Sequence, residues 1–297
     1  MAAPWIDLVD PTADEIDDAL DVPVDPGILD VLFAPPARAV RASVERHGDA
    51  VVAVLTVPTP APDGLEVAYL ELDVVATRGA VLTVRKTGPA GELVGVPEAL
   101  ARHEAHTSGE LVHLVVDDVC DRFLDLVDVL YGAIDELEDE ADSLPGPTVR
   151  RRLADLRHEL LEARRAASAT RAIVRRIIDG RAEVSGMPLF SGSLEHRFVD
   201  AYETLVRTTE ELDIARDLLS SVRDYYQAKI AENQNEVGKK LTVVASIVLV
   251  PGLIVGFYGQ NFEAQFDDPY WNIGTAVALI AVTTVAQLVF YRWRRWI

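Results

Sequence analysis

Two uninterrupted apolar runs near the C-terminus, Leu241 to Tyr258 and Ile273 to Tyr291, constrain this chain more than anything else in it. A hydrocarbon core of roughly 30 Å takes about 20 helical residues to cross, and buried helices of soluble proteins are seldom so uniformly apolar. The runs therefore read as two membrane spans joined by a short acidic loop. Charge sets the expected orientation. Lys239 and Lys240 precede the first run, Arg292, Arg294 and Arg295 follow the second, and the loop carries Glu263, Asp267 and Asp268. Basic flanks stay on the cytoplasmic side, so both termini are expected there, in a multi-pass protein of the cell membrane. Trp271, Tyr291, Trp293 and Trp296 fall where amphipathic rings meet the headgroups. The N-terminal stretch Met1 to Asp7 has neither a positive segment nor an apolar one, so no cleaved signal is expected.

The 297 residues carry a formal net charge of -20. Nucleic acid is a poor partner for such a chain, because neutralising phosphates takes clustered Lys and Arg. Cations are better partners. Cys120 is the single cysteine, which rules out an internal disulfide and fits a small core position on a helix. No phosphate-binding glycine loop and no nucleophile elbow occurs, so neither an enzyme activity nor an organic cofactor is expected. His103, His106 and His113 lack zinc spacing and read as core or surface residues.

An α+β membrane protein is expected. Residues 1–106 change character every few positions, as in an α/β domain with a mostly antiparallel sheet. Strands are expected over Ala37 to Glu45, Ala50 to Val57, Leu65 to Val75 and Ala80 to Lys86, with a loop from Pro58 to Gly64 and short helices over Thr12 to Leu20 and Pro97 to Ala105. Residues 107–193 suggest an antiparallel helix pair. Thr107-Ser108-Gly109-Glu110 reads as a capping box, and Leu111, Val115, Val119, Phe123, Leu126, Leu130, Ile134 and Leu137 trace one apolar face. The second helix is arginine-rich, so acidic is expected to meet basic. A stalk over 194–240 runs unbroken into the first span, 241–258; an external loop, 259–272, the second span, 273–291, and a basic tail, 292–297, complete the chain.

Along the first span, Asn235, Gly238, Thr242, Ala245, Leu249, Gly252, Gly256 and Gly259 recur at intervals of three and four, forming a seam of mostly small or polar residues. Close helix packing is one use for such a seam; a pore wall is the other. It leads into Tyr258-Gly259-Gln260-Asn261, where a glycine carbonyl and a neutral amide oxygen meet at the outer end. A Gly-x-Asn triplet is common in turns. After the first of two C-terminal spans, followed by Phe262, an acidic loop, a second span and a basic tail, it is specific.

From Asn235-Glu236-Val237 through Leu241-Thr242 to Tyr258-Gly259-Gln260-Asn261-Phe262, and more broadly over nearly the whole chain, the sequence resembles the CorA family of divalent-cation channels. That family's signature is Gly-Met-Asn at this place; Gln260 stands here for the Met, and the outer loop reads Ala264-Gln265-Phe266-Asp267-Asp268 in place of the frequent Met-Pro-Glu-Leu. The resemblance implies a homopentameric funnel with five copies of the first span around the conduit. It places Tyr258, Gly259, Gln260 and Asn261 at the selectivity filter. Asn235, Gly238, Leu241, Thr242, Ala245, Leu249, Gly252 and Gly256 are pore-lining by the same likeness, with Leu241 and Leu249 at the gate. It also implies that Mg²⁺ is substrate and regulatory ligand, with Asp200 aligned to a regulatory carboxylate.

The chemistry suits a hydrated dication. Mg²⁺ sheds its water reluctantly, and neutral oxygens hold the hydrated ion loosely enough to release it. Glu263, Asp267 and Asp268 would concentrate cations at the mouth, or simply solvate the loop. Uptake needs no pump, since an inside-negative potential favours entry of a double charge by about 4.6 kcal/mol per 100 mV. Mg²⁺ is the expected ion, with Co²⁺ and Ni²⁺ as further candidates. The alternatives are a zinc transporter of the same superfamily and a membrane-anchored sensor or scaffold whose spans only dimerise.

Overall fold

The computed structural model describes residues 3–20, 22–34, 42–60, 67–89, 91–97, 100, 107–180, 192–260 and 273–296. They divide between two units, Met1–Val222 and Arg223–Ile297.

In the first unit, strands β1 (Trp5–Val9), β2 (Ser43–His47), β3 (Ala50–Pro60), β4 (Val67–Ala76) and β5 (Val81–Arg85) form one sheet in the order β1-β5-β4-β3-β2. Only β1 runs parallel to its neighbour, pairing Trp5 with Val81 through Val9 with Arg85. Helices α1 (Ala13–Ala19) and α2 (Pro26–Leu32) cover one face, where Ile16, Ile28 and Leu32 pack with Val52, Val75, Leu82 and Val84. The sequence expectations missed β1 and α2. The signal for α2 was present, because Asp25 caps it by accepting from Gly27 N at 2.7 Å and Pro26 occupies its first turn.

The loop expected from Pro58 is corrected: β3 continues to Pro60, with Pro58 opposite Tyr69 and Pro60 opposite Val67. The described pairing of β2 ends with Ser43 opposite Val54, so among the described residues β3 is an edge beyond that point. Prolines two residues apart turn their missing N–H groups to the same open side, which is where a strand tolerates them. The helix expected over Pro97 to Ala105 lies almost wholly outside the described residues, as does the first half of the strand expected from Ala37.

Two long helices, α3 (Ser108–Glu140) and α4 (Gly146–Ile178), run antiparallel. Thr107 and Glu110 cap α3 reciprocally, at 3.3 and 2.8 Å, and all eight residues of its expected stripe are buried. The acidic-to-basic match between the pair is narrower than expected. Arg152 bridges Glu136 and Glu140 at 2.9 and 2.7 Å. Other arginines of α4 face the third long helix, α5 (Ser193–Tyr258). Arg164 makes a two-point pair with Asp213 at 2.7 and 3.1 Å, and Arg171 donates to Thr209 at 3.0 Å. Within this unit α5 buries Phe198, Ala201, Leu205, Leu212, Leu219 and Val222. His113 fits against Phe198 edge-on at 5.3 Å, and the buried Cys120 thiol lies 3.8 Å from the Ala201 carbonyl.

The α1/α2 face ends in a polar cluster. Lys86 Nζ lies 2.8 Å from Asp73 Oδ2, 3.2 Å from Glu71 Oε2 and 3.4 Å from the Ala34 carbonyl, and Asp73 is wholly buried. Burial pushes the Asp73 carboxyl up to about 6, the Lys86 ammonium offsetting only part of that effect.

Candidate ion-conduction site

The second unit holds the rest of α5, from Arg223, and α6 (Ile273–Trp293). Both helices are long and apolar enough to cross a membrane. In α5 a charged and amide-rich stretch gives way to β-branched and aliphatic residues without a breaker, so the helix is continuous. Pro251 lies within it and withholds the amide that would bond the Ile247 carbonyl. Residues 231–242 are exposed without exception. Leu241, Val244, Val248, Leu249 and Leu253 are all more than 60% exposed, an apolar surface that water would not leave uncovered.

Residues 243, 246, 247, 250, 251, 254 and 258 are the less accessible ones over 241–258 of α5, and they share the side that α6 covers. Thr242, Ala245, Leu249, Gly252, Gly256 and Gly259 are exposed. At 100° per residue the two sets are centred roughly 165° apart. The seam is therefore not the surface on which the two helices of one chain meet. Cβ atoms added at Gly238, Gly252 or Gly256 would meet nothing within 4 Å. Glycine inside a helix costs about 1 kcal/mol relative to alanine, and the chain's own packing does not require it at these positions. Thr242 Oγ1 donates to the Gly238 carbonyl at 2.9 Å, which leaves its oxygen free to accept. Gly238 and Leu241 also border a groove of about 420 Å³ along α5, lined with Ile230, Asn233, Gln234 and Val237.

The helix ends where the motif begins. Gly259 N donates to the Val255 carbonyl at 2.8 Å and Gln260 N to Phe257 at 3.4 Å. A Cβ on Gly259 would press on the Val255 carbonyl at 3.0 Å, so any larger residue is crowded by backbone here. Asn261, Glu263, Asp267, Asp268 and Trp271 lie outside the described residues. At the other end of the span, Lys240 pairs with Glu236 at 2.9 Å, while Asn235 and Lys239 are exposed.

Asp200 is an exposed residue of α5 in the first unit, its carbonyl accepting from Thr204 Oγ1 at 3.1 Å. Among the described residues no group of three or more His, Cys, Asp or Glu is arranged to hold a metal ion. The sequence expectations overlooked a polar cluster between the spans formed by Ser246, Gln287 and Tyr291. Its signal was the presence of an amide and two hydroxyls in otherwise aliphatic runs.

The sequence matches the family model described as CorA-like Mg2+ transporter protein over residues 2–295. The chain belongs to this family. It is 26% identical over 188 residues to the cobalt/magnesium transport protein CorA of Thermotoga maritima, an alignment that takes in 63% of this chain and 52% of that protein. The chain thus spans about half the length of that relative. The complete CorA magnesium transporter of Methanocaldococcus jannaschii superposes with a TM-score of 0.79 at 19% identity, over 99% of this chain and 91% of the other. The cytoplasmic domain of ZntB from Vibrio parahaemolyticus gives 0.58 at 17% identity, over 77% and 88%. The CorA fold is thus shared along the length of the chain, with its N-terminal α/β portion, long helix and two apolar C-terminal helices.

Proposed function

We propose that the protein is a CorA-type channel in which five copies carry divalent cations, chiefly Mg²⁺, into the cell down the membrane potential. The supporting observation is the seam: small and polar residues of α5 that face away from α6 run directly into Tyr258-Gly259-Gln260. Around a common axis, five seams leave room for a hydrated ion where bulkier faces would close it. Asn235, Gly238, Leu241, Thr242, Ala245, Leu249, Gly252 and Gly256 line the conduit in this reading, and Leu241 and Leu249 narrow it. Tyr258, Gly259, Gln260 and Asn261 form the outer filter, where carbonyl and amide oxygens accept hydrogen bonds from the ion's water. Glu263, Asp267 and Asp268 raise cation concentration at the mouth. Both termini are cytoplasmic, and internal Mg²⁺ closes the channel through carboxylates that include Asp200. A dication between facing carboxylates of two subunits removes their repulsion, so loss of the ion loosens the assembly.

A second reading, zinc transport, is favoured by one observation, Gln260 at the centre of the motif. Uptake of Mg²⁺, Co²⁺, Ni²⁺ and Zn²⁺ by the full chain in vesicles, native and Asn261→Ala, tests both. The expected result is potential-driven Mg²⁺ entry abolished by the substitution. Entry of Zn²⁺ alone selects the second reading; no cation flux, with assemblies smaller than five chains, leaves only a membrane-anchored scaffold.

A further inference from the structure

Near the basic ends of the two spans, three polar side chains meet between α5 and α6. Tyr291 Oη donates to Ser246 Oγ at 2.7 Å, Ser246 Oγ donates to the Val243 carbonyl at 2.9 Å, and Gln287 Nε2 donates to the Ser246 carbonyl at 3.2 Å. The spans bury most surface here: among their described residues, only Val243 and Tyr291 are buried.

The tail secures the same point. Arg295 adopts a left-handed conformation (φ 55), which lets its N–H reach the Arg292 carbonyl at 3.1 Å and the Trp296 N–H reach the Tyr291 carbonyl at 2.9 Å. This is the closure that usually places glycine at the end of a helix. It folds Trp296 back so that its ring stacks on Tyr291 at 5.8 Å and 19°. Tyr291 is thus held by the tail on its ring and holds α5 through its hydroxyl.

Gln287 is costly where it stands. Its Oε1 is buried and accepts no hydrogen bond among the described residues. A leucine of similar size would carry no such unsatisfied group, so stability alone does not account for the amide. What the amide gains is a bond to the main chain of α5. A main-chain carbonyl is tied to the rotation of its helix, and turning α5 toward the seam side breaks the contact.

We propose that Ser246, Gln287 and Tyr291 clasp the two spans and fix the rotation of α5, making them positioning residues for ion passage. The proposal rests on the reading that the seam lines the conduit, since the clasp holds that seam away from α6. Without it, bulky Val244 and Val248 compete with the seam for the axis.

The test uses the 297-residue chain with spin labels at Val248→Cys and Val285→Cys, the labelled chain diluted into unlabelled chains. Native Cys120 is buried, with its thiol pushed up to about 12, and does not compete for label. The native chain gives one narrow distance; Ser246→Ala with Gln287→Leu displaces and broadens it, and Ser246→Thr alone, which keeps the hydroxyl and Gln287, retains it. The double variant also shifts the internal Mg²⁺ concentration for half-inhibition about fivefold or more, the lower end of ordinary site-to-site coupling. Thermal stability changes little, because Gln287→Leu removes an unpaired acceptor while Ser246→Ala takes away the partner of the Tyr291 hydroxyl. An unchanged distance overturns the clasp, whatever the flux does. A displaced distance with unaltered uptake and inhibition overturns its positioning role. Uptake that ignores Asn261→Ala instead marks failure of the conduit reading, and the distance measurement still decides the clasp.

Discussion

Replacing Asp73 with Asn should stabilise the first unit at neutral pH, although it removes half of an ion pair. The cluster gathers two carboxylates, Glu71 and Asp73, on one ammonium, Lys86, and Asp73 is wholly out of water. Burial raises the Asp73 carboxyl from 3.8 to about 6 in spite of the lysine, and that rise corresponds to about 3 kcal/mol between its two protonation states. The sign follows from linkage. A carboxyl raised on folding contributes fully to stability below its unfolded value, where it is protonated in both states, and that contribution is lost as pH climbs through about 6. Asn imitates the protonated form at every pH and leaves Lys86 paired with Glu71. The Asn variant should therefore exceed the native chain by up to about 3 kcal/mol at pH 7.5, falling below about 1 kcal/mol at pH 4. At about 2–4 °C per kcal/mol for a unit of this size, the neutral-pH difference is a rise of up to about 10 °C in melting temperature. Lys86→Met makes the contrast: it takes the ammonium partner away from the buried Asp73 and should cost about 3–5 kcal/mol at pH 7.5. Thermal melts of the full chain between pH 4 and 8 measure both. An Asn variant that is less stable at neutral pH, or a difference that does not change with pH, would refute the claim that desolvation outweighs the Lys86 bridge.

Two further outcomes are expected. The Cys120 thiol, buried and pushed up to about 12 by desolvation with Asp117 and Asp121 nearby, should resist alkylation at pH 8 in the native chain and react once the chain is unfolded; mass spectrometry before and after denaturant reports this. Asp200→Lys should raise the internal Mg²⁺ needed for half-inhibition about fivefold or more, read by uptake into vesicles preloaded with graded Mg²⁺, whereas an unchanged response removes Asp200 from the regulatory set.

Periodic features were legible in the sequence because each is local. The Thr107–Glu110 cap and the α3 stripe are set by residues three or four apart, and the continuous α5 helix needs only the absence of a breaker. Pro58 and Pro60 misled because proline signals a loop unless the strand is known to be an edge, and among the described residues β2 pairs with β3 only as far as Ser43 opposite Val54. The Asp73–Lys86–Glu71 cluster was not legible, since it is assembled by register between strands and by the chain leaving α2. The candidate site divides in the same way. Spacing along one helix grouped the seam, whereas the meeting of Ser246 with Gln287 and Tyr291 depends on how two helices dock.

The fully exposed stretch 231–242 of α5 has a consequence for watching the protein at work. An isolated helix of about a dozen residues is marginal in water, since most helical stability comes from a packed face. Among the described residues, none supplies that face here. Deuterium uptake by their backbone amides is therefore a built-in gauge of whatever lies alongside: fast when the chain is solitary, slow when neighbours close around it, and graded between the two as they loosen.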